Sequence, residues 1–172
     1  MRKNNLKYSA IAVLLVLLLS LTFNLFNENQ DFELTVNQQY PAEYVRIVDG
    51  DTAVFKVNDI NFKTRFIGID TPESVKENTP VEAYGKEASA FTKDALENAK
   101  EIILETDSEA NLYDKHERLL AYVWIDGELL QCKLLEEGLA EVKYIYGDYR
   151  YLDKFYDAQA IAKAKHVNIW SN

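Results

Sequence analysis

Residues 44–70 read YVRIVDGDTAVFKVNDINFKTRFIGID, and three runs rich in Val, Ile, Phe and Thr lie inside this stretch. Tyr44 to Val48, Thr52 to Val57 and Ile60 to Ile69 each have the composition of a β-strand. Asp49-Gly50 and Asn58-Asp59 separate them with residue pairs suited to tight hairpins. The domain thus opens with a three-stranded meander. Downstream, Thr79-Pro80-Val81-Glu82 has the form of a capping box with Pro at the first helical position. Ala88, Phe91, Ala95, Leu96 and Ala99 follow at helical spacing, which predicts a helix ending near Lys100. Glu101 to Thr106 and Leu119 to Ile125 read as two more strands, and Asp126-Gly127 turns the chain into a short return. Leu129 to Glu137 reads as a short helix stopped by Gly138. Leu152 to Lys165 reads as another, with Phe155, Ala158, Ala162 and Lys165 along one stripe. Five short strands with a helix between the third and fourth predict an α+β fold. The expected architecture is a five-stranded Greek-key β-barrel of the oligonucleotide-binding (OB) type with three α-helices packed outside.

The chain has 172 residues, enough for one ordinary domain plus an appendage. Arg2, Lys3 and Lys7 precede an apolar run from Ala10 to Leu19 that extends to Phe26. As a helix, residues 8–26 would reach roughly 28 Å, about the hydrocarbon thickness of a bilayer. The basic end stays in the cytoplasm under the positive-inside rule. Residues 1–26 are therefore expected to be an N-terminal signal-anchor, with residues 8–26 holding the remainder at the outer membrane surface. The alternative is a signal peptide and secretion, for which Ser20-Leu21-Thr22 offers a poor cleavage site. Residues 27–39, rich in Asn and Gln, read as a polar linker, and residues 40–172 as the domain.

Without Arg2, Lys3 and Lys7, 16 basic residues face 28 acidic ones, a charge of about −12. That balance argues against binding nucleic acid by long-range phosphate attraction alone. Phosphate chemistry in this chain has to be local, built from a bound divalent cation and a few placed arginines. One cysteine, Cys132, rules out an internal disulfide, and two histidines, His116 and His166, rule out a multi-histidine metal centre.

Asp51 follows a turn and Asp70 ends the third strand, so neighbouring strands can bring two hard carboxylate ligands together. Taken alone, Asp49-Gly50-Asp51 is equally a hairpin turn, and Asp70-Thr71-Pro72-Glu73 a capped turn. Arg65 and Arg118 suit phosphate oxygens, although each could equally pair with one of the many acids on the surface. Strict alternation puts Arg65 and Asp70 on opposite faces, so they converge only if the strand bends, and Gly68 is the residue to allow it. Tyr144 and Tyr146, at two-residue spacing, would share a face able to stack on a base, or else be packed edges.

In combination these segments resemble a known family. Val48-Asp49-Gly50-Asp51-Thr52, Arg65 through Asp70-Thr71-Pro72-Glu73, Tyr84-Gly85, Glu87 to Lys93, Asp114-Lys115, Arg118, Leu120-Ala121-Tyr122 and Asn168-Ile169-Trp170-Ser171 are similar, in order and spacing, to staphylococcal nuclease, the thermonuclease family. The resemblance covers residues 40–172. It implies a monomeric, Ca²⁺-dependent phosphodiesterase acting as an endonuclease on single-stranded or frayed DNA and RNA and leaving 3′-phosphates. By match to the family motif, Asp51 and Asp70 would be calcium ligands together with the Thr71 carbonyl. Arg65 and Arg118 would bind the phosphate, Glu73 would activate water, and Lys115, Tyr144 and Tyr146 would contact the nucleotide.

Three departures set this chain apart from that pattern. His116-Glu117 stands where the family commonly has Tyr-Gly, so one nucleotide-contacting tyrosine is absent and a carboxylate is added beside Arg118. Either affinity for polyanions falls or the loop turns Glu117 away. The strong acidity and the membrane segment are the other two. A non-catalytic oligonucleotide-binding module is the competing reading, and the retention of Asp51, Asp70, Glu73, Arg65 and Arg118 favours the enzyme.

Overall fold

The computed structural model describes residues 13–20, 32–74 and 82–171. The chain divides into two units, residues 1–33 and 34–172. In the first, residues 13–20 are helical (α1), and Val13 to Leu19 all leave half or more of their surface exposed. Among the described residues no helix is long and apolar enough to cross a membrane. The rest of the expected span, residues 8–12 and 21–26, lies outside the described residues.

In the second unit, β2 (Glu43–Asp49), β3 (Thr52–Val57) and β4 (Ile60–Phe66) form the expected antiparallel meander. Asn58 and Asp59 both take positive φ, which suits their hairpin to the twist of the strands. β6 (Ile102–Glu105) and β7 (Leu119–Ile125) pair antiparallel, and β7 lies parallel to β4. A strand unannounced by the sequence, β1 (Gln39–Pro41), pairs with β6. Only Ala42 separates β1 from β2, and its N–H also bonds to Ile102 O at 2.9 Å. The path β1-β6-β7-β4-β3-β2 therefore begins and ends on one continuous segment, and the sheet returns on itself as the OB barrel predicted from the sequence.

Residues 34–39, read as linker from their polar composition, are corrected to part of the domain. Leu34 is buried, Thr106 Oγ1 donates to Thr35 O at 2.7 Å, and Thr106 N donates to Gln38 O at 3.0 Å. The backbone carbonyls of Thr35 and Gln38 thus pair with Thr106 while both residues stay exposed.

Phe55, Phe66, Leu104 and Leu119 fill the barrel core with essentially no exposure, and Tyr122, on the other face of β7, is buried against Tyr151 and Phe155. Three helices pack outside, as expected: α2 (Gly85–Asn98), α3 (Leu130–Glu136) and α4 (Leu152–Lys165). The stripe of α4 is buried at Phe155, Ala158 and Ala162, while Lys165 is exposed. In α3, Gln131 completes the backbone of β7, accepting from Val123 N at 3.1 Å and donating to Ala121 O at 3.2 Å. A short β8 (Glu128–Leu129) continues the hairpin at Asp126-Gly127.

The start of α2 differs from the sequence expectation. Pro80 lies outside the described residues, Glu82 is not helical, and the helix begins at Gly85 after a left-handed Tyr84. Glu82 serves instead a loop that the next section describes.

Candidate functional site

Gly50 and Asp51 form the two-residue link between β2 and β3, one position later than the sequence pairing placed it, because Asp49 pairs with Thr52. This puts Asp51 at the rim of the barrel, buried at 5% exposure. Its Oδ1 accepts from Thr52 Oγ1 at 2.9 Å and its Oδ2 from Thr71 N at 3.0 Å. Asp49 is a turn organiser, with Oδ1 accepting from Gly50 N at 2.8 Å and from Ser74 N and Oγ.

Arg65, the penultimate residue of β4, lies next to this turn, paired with Thr52. The long run predicted to Ile69 breaks at Ile67-Gly68, where Gly68 takes φ +77°. A Cβ on Gly68 would lie 2.9 Å from the ring of Phe155, so both conformation and space require glycine. The bend sends β5 (Ile69–Asp70) away to pair with β9 (Glu141–Val142). Asp70 thereby reaches the face of Arg65, as the sequence required: Arg65 Nη2 lies 2.7 Å from Asp70 Oδ1, and Nη1 contacts Asp51 Oδ2. One guanidinium bridges both carboxylates. Burial lowers the Arg65 pKa, and the nearby Arg118 adds to this while Asp70 opposes it, leaving a side chain that stays protonated.

The parallel pairing of β4 with β7, Thr64 opposite Leu119, delivers Arg118 to the same rim. Asp114 holds it: Arg118 Nε lies 2.7 Å and Nη2 2.6 Å from Asp114 Oδ2. Oδ1 of Asp114 accepts from His116 N at 2.8 Å and Arg118 N at 3.0 Å. Burial alone would raise the Asp114 carboxyl, but these bonds from Arg118 and His116 outweigh it and hold the group below its ordinary range. Glu117 occupies the left-handed region at φ +59°, where the family commonly has glycine. His116 lines the cleft, whereas Glu117 is exposed and is not among the cleft's lining residues.

Glu73 sits on the loop after β5. Its N–H donates to Glu82 Oε2 at 3.1 Å and its carbonyl accepts from Glu82 N at 3.0 Å. Gly85 packs beneath it, and a Cβ there would lie 2.6 Å from Glu73 O. Tyr144 and Tyr146 are exposed, at 49% and 83%, so they are not packed edges. Strand alternation is not what brings them to the cleft, since Tyr144 takes φ +59° outside any strand. Tyr149, by contrast, is buried.

Asp51, Arg65, Asp70, Thr71, Glu73, Lys115, Arg118, Tyr144 and Tyr146 all line one open cleft of about 750 Å³. The sequence placed Glu82 only in a capping box and assigned no task to Asp114 or to Lys143, whose Nζ lies 3.0 Å from Asp70 Oδ2 and 2.8 Å from Glu141 Oε1. Those contacts raise the Lys143 pKa, Glu141 contributing most.

A positive centre between Asp51 and Asp70 is already part of this arrangement, in the form of Arg65. The donors are hard oxygens of the kind Ca²⁺ takes. Among the described residues no three His, Cys, Asp or Glu side chains gather as a metal cage. The carboxylates of Asp51 and Asp70, brought together on one guanidinium, are donors that would suit an open Ca²⁺ site completed by further oxygens to the usual six to eight.

Barrel and cleft together define an OB-fold protein whose open cleft carries two arginines held against carboxylates. Residues 63–172 match the family model described as staphylococcal nuclease homologue. The chain is 40% identical over 165 residues to the thermonuclease of Staphylococcus hyicus, covering 94% of this chain and 95% of that one. It is 38% identical over 164 residues to the thermonuclease of Staphylococcus intermedius, covering 94% and 96%. Over 127 residues it is 41% identical to endonuclease YncB of Bacillus subtilis strain 168, covering 73% of this chain and 59% of that one. The chain belongs to the staphylococcal nuclease family.

Proposed function

We propose that this chain is a Ca²⁺-dependent nuclease, hydrolysing DNA and RNA as an endonuclease that leaves 3′-phosphates. The observation that carries this reading is the convergence of two arginines, two aspartates and Glu73 in one open cleft. The thermonuclease and endonuclease relatives support nuclease activity.

A phosphodiester resists hydrolysis because its anionic oxygens repel nucleophiles. Arg65 and Arg118, each held against a carboxylate, can fork onto those oxygens and neutralise the charge that grows in the five-coordinate transition state. Each is worth a factor of roughly 10² to 10³ in rate, by comparison with single oxyanion donors. Asp51, Asp70 and the Thr71 carbonyl would hold Ca²⁺, which when bound supplies Lewis acidity beside the phosphate. Glu73 accepts the proton of the attacking water, and the backbone of this residue is held by the carboxylate and the N–H of Glu82. Tyr144 and Tyr146 offer exposed faces to bases, and Lys115 offers a charge to the next phosphate. Stacking needs unpaired bases, hence single-stranded or frayed substrate.

The exposed apolar helix at residues 13–20, preceded by Arg2, Lys3 and Lys7, supports anchorage at the outer face of the membrane, or secretion on cleavage, with the domain acting as a monomer. The test of the enzymatic reading is hydrolysis of single-stranded DNA by the full-length chain in Ca²⁺ and in chelator, with analysis of the ends. Calcium-dependent cutting to 3′-phosphates is expected, and 5′-phosphate ends would refute the assigned bond.

A further inference from the structure

Both oxygens of Asp70 are taken by cations of the chain itself: Oδ1 by Arg65 at 2.7 Å and Oδ2 by Lys143 at 3.0 Å. Glu141, two residues before Lys143 and directly opposite Asp70 in the β5–β9 pair, holds the same ammonium at 2.8 Å. Tyr144 fixes the other side, with the Arg65 guanidinium 5.7 Å and the Lys143 ammonium 5.6 Å from its ring centroid. The lysine is thus tethered at the edge of the cleft by a carboxylate and a ring, and its charge is delivered to one carboxylate oxygen. Arg65 has a phosphate to move to once substrate enters, whereas Lys143 stays tied to Glu141 and Tyr144.

We infer that Lys143 is a tethered cation that competes with the divalent metal for Asp70 and so weakens metal binding to the free enzyme. This rests on the reading of Asp51 and Asp70 as metal ligands. Metal reaching Asp70 must displace the ammonium from Oδ2 or share the carboxylate with it at the cost of like-charge repulsion. The consequence is an enzyme that takes up metal poorly until a substrate phosphate adds oxygen ligands and negative charge. Lys143 acts through Asp70 and is a positioning residue, not a catalytic one.

The test is calcium titration by calorimetry on the full-length chain in mild detergent, stripped of metal, comparing wild type with Lys143→Met. Lys56→Met serves as the charge control, because Lys56 on β3 forms its ion pairs with Glu43 on β2 and Asp59 in the β3–β4 hairpin, neither of which lines the cleft. A half-exposed ion pair of this kind is worth a small factor, so Lys143→Met is expected to bind Ca²⁺ about two- to fivefold more tightly. Lys56→Met is expected to match wild type. Unchanged or weaker binding by Lys143→Met, or equal tightening by Lys56→Met, overturns the competition while leaving the calcium site standing. Absence of calcium binding in wild type and Lys143→Met alike overturns both.

Discussion

Asp114 aims Arg118. Its Oδ2 receives two nitrogens of the guanidinium and its Oδ1 two backbone N–H groups of the same loop, so one carboxylate sets both the loop and the direction of the arginine. Asp114→Asn keeps the shape but loses the charge and one acceptor. Misplacing a catalytic group by about 1 Å can cost as much as 10² in rate. The expected outcome is a fall in kcat of roughly ten- to a hundredfold at nearly unchanged KM, read from steady-state hydrolysis of single-stranded DNA. A loss confined to KM would show that Asp114 serves binding only. The candidate residues that carry charge or a ring were legible because their types are tied to phosphate, metal and base chemistry. Asp114 and Lys143 were not, because their tasks depend on loop and sheet partners that no spacing reveals.

The helix α2 acts on the site from beneath. Thr92 Oγ1 donates to Gly50 O at 2.6 Å, a Cβ on Gly50 would lie 2.6 Å from Thr71 Oγ1, and Gly85 abuts Glu73 O. At Gly85 the helix therefore meets the Glu73 loop through backbone, with no side chain there to yield. Gly85→Ala must push the Glu73 loop outward, at about 1 to 3 kcal/mol of overpacking. A fall in kcat of about tenfold or more, with only a few degrees lost in Tm, is expected when both are measured on the same preparation. A variant with wild-type kcat would separate Gly85 from the placement of Glu73. Elements with strong periodicity or hairpin chemistry, such as β3, β7 and α4, were legible in the sequence. The start of α2 was not, since Thr79 to Glu82 satisfies a capping pattern while Glu82 bonds to Glu73. β1 was hidden by polar residues whose hydrogen bonds go to Thr106 and Glu105.

At the scale of the molecule, two titrations bound the stable range. Burial alone would raise the Asp107 carboxyl, but bonds from Tyr122 OH at 2.6 Å, Arg150 N and Glu109 N hold it below the ordinary range. A carboxyl lowered by folding stabilises fully above its unfolded value near 4 and loses that contribution as pH falls through the folded one. Burial, then donation to Asp107, raises the Tyr122 phenol well above its ordinary value near 10. A phenol raised by folding stabilises below that unfolded value and loses the contribution as pH rises through the folded one. Thermal unfolding in chelator should show a plateau between about pH 5 and 9, with an acid limb that flattens in Asp107→Asn. An acid limb unchanged by Asp107→Asn would place the acid sensitivity elsewhere.

The acidic balance of the chain was legible from composition, as was the consequence that phosphate binding has to be local. What composition could not show is that Arg65, Arg118 and Lys143 are each held against a carboxylate of the chain itself. Hydrolysis of single-stranded DNA by the full-length chain and its Arg118→Ala variant, in Ca²⁺ and in chelator, tests that arrangement most directly. Cutting by wild type in Ca²⁺ alone, reduced roughly 10² to 10³-fold by Arg118→Ala at unchanged Tm, is the predicted result. A folded wild-type chain that binds DNA without cutting it in Ca²⁺ would contradict the account and make the domain an oligonucleotide-binding module.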